Sequence, residues 1–239
     1  MKLTNSVAIF ALLTVAACGG GSEGNNSPDI SETAEGMYLG RTSTERDFGT
    51  VILENGSYYG IYTSPNNPAF AAGFFQGTGT SSNGTFTSTT LRDFNLETGI
   101  VSDGSLSASY RPKSSFNGTI SGDNGNLTFS GTYEASYEQA PSLTAIAGAY
   151  TSSDGGTINI DTSGALNGSI DGCTFSGTVT PRARGNVYST VVTYGASCTF
   201  LASQTLAGVA ILDASGKKIT AVVVSADRNA GAMAIATKP

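Results

Sequence analysis

The stretch DFGTVILENGSYYGIYTS, residues 47–64, decides how this chain is read. Asn55-Gly56 sits between two runs rich in β-branched and aromatic residues. Asn-Gly is the favoured centre of a two-residue hairpin turn, with positive φ at both positions. Before the turn, Thr50, Ile52 and Glu54 alternate with Val51 and Leu53. After it, Tyr58, Gly60 and Tyr62 alternate with Tyr59 and Ile61. A strand sends successive side chains to opposite faces, so one set of each run is expected to be buried.

Working outward, turn dipeptides recur at Asn83-Gly84, Asp103-Gly104, Asn117-Gly118, Asp154-Gly155, Ser163-Gly164, Asn167-Gly168 and Ser215-Gly216, and at Asp123-Asn124-Gly125. Charged residues make up only 13% of the chain, and helix formers in amphipathic spacing are scarce after residue 36. Many short strands joined by tight turns suit an all-β meander closed into a sandwich or barrel. The chain also echoes itself. TFSGT occurs at 128–132 and 174–178, GMY at 36–38 resembles GAY at 148–150, and FQGT at 75–78 resembles FSGT at 175–178. The expectation is two small antiparallel up-and-down barrel-like domains of about eight strands each. They would span residues 36–140 and 145–239, with the boundary at Gln139–Ser142, where Pro141 interrupts a ladder after an acidic strand over 133–138. A short helical turn is expected at 143–149. Strands should follow near 156–161, 165–170, 173–180, 186–194, 198–202, 205–213, 217–226 and 230–238.

The N-terminus carries an address. Lys2 precedes an uncharged run, Val7–Ala17, shorter than the ~20 apolar residues a spanning helix needs. Leu13-Thr14-Val15-Ala16-Ala17-Cys18 resembles the bacterial lipobox. The resemblance implies that residues 1–17 are a signal peptide, that Cys18 is lipidated, with palmitate among its acyl groups, and that the protein is held on a membrane. Gly19, in place of an Asp, implies sorting to the outer membrane. Residues 18–35 read as the lipidated cysteine and a flexible tether, since 19–35 hold four acidic residues, no basic ones and almost no large apolar groups. The glycine run after the cysteine, with the two-barrel architecture, resembles surface lipoproteins of the transferrin-binding and factor-H-binding kind. The resemblance covers the anchor and the architecture. The ligand-contacting motifs of those proteins are not found here.

Charge and cysteines narrow the function. Residues 36–140 hold five basic and nine acidic groups, and residues 145–239 six and five. No basic stripe exists to neutralise phosphates, so nucleic acid is not an expected partner. With Cys18 lipidated, Cys173 and Cys198 remain as a pair, and an oxidising compartment beyond the inner membrane favours a disulfide. The chain has no histidine. That removes Ser-His-Asp and Cys-His catalysis and any histidine metal site, and no cofactor or metal is expected. Carboxylate pairs for glycoside hydrolysis among Glu54, Asp93, Glu97, Glu134 and Glu138 are not singled out by spacing and read as solvated strand faces. Arg182 and Arg184 read as a hairpin tip. Arg92-Asp93-Phe94 and Arg46-Asp47-Phe48 read as strand-edge ion pairs. Tyr58, Tyr59, Tyr62, Phe70 and Phe74, with Phe75, form the most aromatic zone, which is either a binding patch or barrel core. The expectation is a non-enzymatic outer-membrane lipoprotein that binds a protein or small molecule, on either the periplasmic or the exposed face. The alternative is a structural accessory of the envelope with no small ligand.

Overall fold

The computed structural model describes residues 33–65, 67–123 and 125–239. The expected signal peptide, the expected lipidation site Cys18 and most of the expected tether lie outside them. The chain forms two closed, eight-stranded antiparallel barrels. The first contains β1 (Gly36–Thr42), β2 (Asp47–Ile52), β3 (Ser57–Ser64), β4 (Asn67–Thr78), β6 (Thr85–Asn95), β7 (Ile100–Arg111), β8 (Ser115–Gly122) and β9 (Gly125–Tyr133). Each pairs with its neighbour, β1 closes on β9, and β4 closes on β6. The short β5 (Thr80–Ser82) continues β4 along β6. The second barrel runs β10 (Gly148–Ser152), β11 (Thr157–Ile160), β12 (Ala165–Ile170), β13 (Cys173–Pro181), β14 (Val187–Tyr194), β15 (Thr205–Leu212), β16 (Lys218–Val224) and β17 (Gly231–Thr237), which pairs back on β10. Between the barrels lie a 3-10 turn, Ala135–Glu138, and the single-turn helix α1, Leu143–Ile146. Ser142 caps α1, its hydroxyl accepting from the Ala145 N–H at 3.1 Å.

Several local expectations change. The acidic strand ends at Tyr133, and Ala135–Glu138 is a 3-10 turn because Glu134 accepts from the Ser136 N–H and turns the chain. Residues 198–202 belong to a loop, and the barrel's remaining strand is β10, because the helical turn expected over 143–149 ends at Ile146. The Glu54–Gly56 loop has three residues: the Leu53 N–H donates to the Ser57 carbonyl, and only Gly56 takes a positive φ. Asn55 instead holds the turn by accepting from the Ser57 N–H at 3.0 Å. Residues 33–35, expected in the tether, are built into the body. Ala34 is buried, its carbonyl accepts from the Tyr38 hydroxyl, and Glu35 pairs with Arg184.

Both faces of the opening hairpin are buried, because one points into the barrel and the other onto the second barrel. Phe48, Ile52 and Tyr58 join the first barrel's core. Val51, Leu53 and Tyr59 pack with Tyr137, Val187 and Val209, while Tyr59 and Ile61 also meet Phe74, Phe94, Val222 and Val224. Polar contacts orient this seam. Arg182 pairs with Glu54. Arg228, from the turn after β16, reaches the place where a bulge between Ser88 and Leu91 interrupts the β6 ladder. Its guanidinium donates to the carbonyls of Gln76, at 3.0 Å, and Thr90. Arg92 returns the contact, donating to the Arg228 carbonyl at 3.1 Å. Arg228→Ala strips two carbonyls of their donor at a covered seam, and is expected to cost about 2 kcal/mol. Both bonds come from one nitrogen, Nη2, so Arg228→Lys, whose ammonium carries three donors, should recover part of the loss. Urea midpoints of the three proteins check this.

The echoed residues occupy matching places. Gly36 and Gly148 have φ of 152° and 150°, and the tyrosine two residues on donates to the carbonyl four residues back, Tyr38 to Ala34 and Tyr150 to Ile146. Phe75 and Phe175 both lie on the fourth strand, each opposite a glycine, Gly60 and Gly168. A Cβ on either glycine would sit within 2.4 Å of the ring. The two TFSGT stretches are not equivalent: one is on the last strand of its barrel, the other on the fourth.

Candidate functional site

The inner faces of β3 and β4 form a zipper of rings laid across glycines. Tyr58 faces Gly77, Phe75 faces Gly60, and Tyr62 faces Gly73. Each ring lies where the opposite glycine's Cβ would stand, about 2.2 Å away in all three pairs. Aromatics in this flattened pose coat the wall without filling the barrel. A cavity of 410 Å³ remains, open at the end formed by the turns after β1, β3 and β8. Its walls are Phe48, Ile52, Phe75, Leu91, Leu106 and Phe129, with Tyr58 and Phe116 deeper. Below them Tyr38, Phe86 and Tyr110 are buried and close the floor. The cavity falls in the range of small-molecule sites, which are mostly apolar with a few placed polar groups.

The polar groups gather near the mouth. Arg46 stacks over the Tyr62 ring at 5.5 Å, donates to the Thr63 carbonyl at 3.0 Å, and pairs with Glu97 at 2.7 Å. That pair holds the Glu97 carboxyl below its usual range. Asp93 lines the cavity beside Tyr62. Burial pushes the Asp93 carboxyl up, against the opposing pull of Tyr62 and Arg46. Burial, and then the Asp93 charge, push the Tyr62 phenol up. The two side chains face each other closely enough to shift each other, yet the contact does not reach full hydrogen-bonding geometry at Tyr62 Oη or Asp93 Oδ1. Tyr62 Oη and Asp93 Oδ1 are both buried without a partner. Deeper in, the Tyr58 hydroxyl donates to Ser88 at 3.0 Å, and burial raises its pKa to about 12.

The second barrel has the same frame and a different interior. Leu166 and Ile170 stand where Tyr58 and Tyr62 stand in the first, and Cys173 replaces Gly73 opposite Ile170. Cys173 is bonded to Cys198. Cys198 belongs to the loop 195–204 between β14 and β15, and Leu201 of the same loop packs on the barrel core. The matching connection in the first barrel, residues 96–99, is too short to fold back in this way.

No family model, curated protein or solved structure matches this chain. The five aromatics of the candidate patch divide among three places. Tyr58 and Tyr62 line the cavity, Tyr59 and Phe74 lie in the seam between barrels, and Phe70 is exposed. Phe70 belongs to β4, whose Ala72 carbonyl accepts from the N–H of exposed Leu96, and Ile100 and Val101 follow beside it on β7. These apolar residues flank the cavity mouth at Pro65 and Asn95. Arg182 and Arg184 are not a free tip: they pair with Glu54 and Glu35. Arg46 and Arg92 pair with Glu97 and Asp103 in place of the neighbouring Asp47 and Asp93, and Asp93, expected on a solvated strand face, is an inward carboxylate.

Asp93 gives a pH-dependent prediction. Its folded pKa lies above the unfolded value of 3.8, so the folded chain holds the proton longer. Stability conferred by protonated Asp93 is full below pH ~4 and falls as pH rises toward the folded pKa. Asp93→Asn removes the buried charge. The variant is expected to melt above the wild type at pH 7, with the gap closing by pH ~3. Paired thermal melts across that range test it, and a variant that melts lower at pH 7 contradicts it.

Proposed function

We propose that this protein is a non-enzymatic binding lipoprotein whose first barrel is a calyx for one small, mostly apolar ligand, held at the outer membrane through lipidated Cys18. The observation that carries the reading is the contrast between two barrels of one frame: the first keeps a 410 Å³ cavity with aromatic and aliphatic walls, and the second folds a loop over the corresponding end. An eight-stranded barrel is just wide enough either to fill with its own side chains or to hold one small ligand. The apolar residues Phe70, Leu96, Ile100 and Val101 beside the mouth favour a ligand passed from another apolar phase. The run ending Leu13–Cys18 supports the anchor, and Cys18→Ala should release the protein from the membrane fraction.

The calyx is tested with N-phenyl-1-naphthylamine, a neutral probe that brightens in apolar surroundings. Saturable binding of one probe per chain is expected. Leu106→Trp, which projects a larger ring into the cavity, should abolish it while far-ultraviolet circular dichroism stays unchanged. Absence of saturable binding, or full binding by a folded Leu106→Trp variant, counts against the calyx.

A further inference from the structure

We infer that the calyx selects an apolar ligand carrying a hydrogen-bond-donating head, best of all a protonated amine, seated against Asp93 and Tyr62. The inference rests on the calyx reading and adds the chemistry of the head group. Buried polar atoms are nearly always paired, so two orphans side by side in one apolar cavity mark a place where something else supplies the partner. Asp93 Oδ1 can only accept while the carboxylate is ionised, and Tyr62 Oη can accept as well as donate. An ammonium or hydroxyl group at this point satisfies both atoms.

The charges around the mouth point the same way. Among the described residues lining the cavity, Asp93, Asp103 and Asp123 carry carboxylates and Arg46 carries the one cation. Arg46 is already committed to Glu97, the Thr63 carbonyl and the Tyr62 ring. A carboxylate ligand would have to break that arrangement and would face Asp93 across the cavity. Asp103 is partly neutralised by Arg92 at 2.8 Å. Asp123 forms no ion pair among the described residues, so the entrance keeps a negative field that draws cations inward. The apolar depth of the barrel, from Leu91 and Leu106 down to Phe116, takes the body of the ligand.

The test uses the full folded protein and three ligands of one chain length: decylamine, 1-decanol and decanoate, each kept below its aggregation limit. Each competes against bound N-phenyl-1-naphthylamine at pH 7. Decylamine is expected to displace the probe at a concentration at least about tenfold lower than decanoate, the size of one hydrogen bond to a charged group. Decanol should fall between them. In Asp93→Asn the amine advantage should shrink to about threefold or less. Tyr62→Phe, which keeps the ring over Gly73 and deletes only the hydroxyl, should weaken decylamine by about threefold or more and serves if Asp93→Asn does not fold. Decanoate binding as tightly as decylamine, or an amine advantage untouched in Asp93→Asn, overturns the head-group inference and leaves the calyx standing. A probe that never binds overturns the calyx and the head-group inference with it.

Discussion

Phe116→Ala should lower the stability of the protein by about 3–5 kcal/mol, the usual cost of removing a fully buried phenylalanine. Phe116 projects from β8 into the floor of the first barrel and is 2% exposed. Its ring lies 5.2 Å from Tyr38, 5.7 Å from Phe86 and 5.4 Å from Phe129. Those rings come from three other strands, β1, β6 and β9, so the cluster ties opposite walls of the barrel together. A void at this place cannot collapse easily, because the neighbouring rings are held by the hydrogen-bonded ladders on which they stand. The void would also join the cavity above it. The comparison is Phe70→Ala. Phe70 is 54% exposed, and its loss should change stability by no more than about 0.5 kcal/mol. Guanidinium unfolding of both variants checks the contrast. A Phe116→Ala variant within 1 kcal/mol of the wild type would mean that the floor repacks freely, contrary to this account.

The fold was legible in the sequence where alternation was unbroken. Residues 47–64 form the expected hairpin, and the matched openings Gly36-Met37-Tyr38 and Gly148-Ala149-Tyr150 do begin two closed barrels. Dipeptides misled where glycine serves packing. Asp103-Gly104, Asn117-Gly118 and Asn167-Gly168 lie inside β7, β8 and β12. A Cβ at Gly118 would meet the Ala108 Cα at 2.7 Å, so this glycine admits a neighbouring strand and turns nothing. The same residue pair therefore carries two meanings that local sequence does not separate.

The site was hidden for a related reason. Along β6, Phe86 and Ser88 are buried, and plain alternation would continue inward through Thr90, Arg92 and Phe94. The bulge between Ser88 and Leu91 shifts the parity by one. Leu91, Asp93 and Asn95 then face the cavity, while Phe94 stacks on Phe74 at 4.6 Å in the seam with the second barrel. One extra residue thus creates the inward carboxylate and part of the domain interface together. The bulge has no marker in the run TFTSTTLRDFN beyond its doubled threonine. The double burial of residues 47–64 is explained in the same way. A chain with two barrels can cover both faces of one hairpin, so a run with two apolar sets signals a partner domain as well as a core.

Removing the disulfide should cost about 3 kcal/mol, and the cost should fall on the second barrel. Cys173 and Cys198 are separated by 25 residues, and closing a loop of that length restricts the unfolded chain by about this amount. The native loop gives the bond a second task. Residues 195–204 contain no strand, yet Cys198 is 3% exposed and Leu201 packs on the barrel core, while Phe200 between them is 90% exposed. The apolar residues Cys198, Phe200 and Leu201 thus divide between inside and outside on a segment with little ladder to hold it. The Cys173 link fixes which of them turns inward. In the double variant Cys173→Ser/Cys198→Ser, urea unfolding should shift by about 3 kcal/mol, and chymotrypsin should cut after Phe200 faster than in the oxidised protein. Probe binding by the calyx should survive wherever the variant remains folded, since the cavity and the disulfide lie in different barrels. A shift below 1 kcal/mol with unchanged cleavage would show that the loop holds its place through Leu201 alone. The second barrel would then be closed by packing, and the absence of a long loop between β6 and β7 would by itself account for the open first barrel.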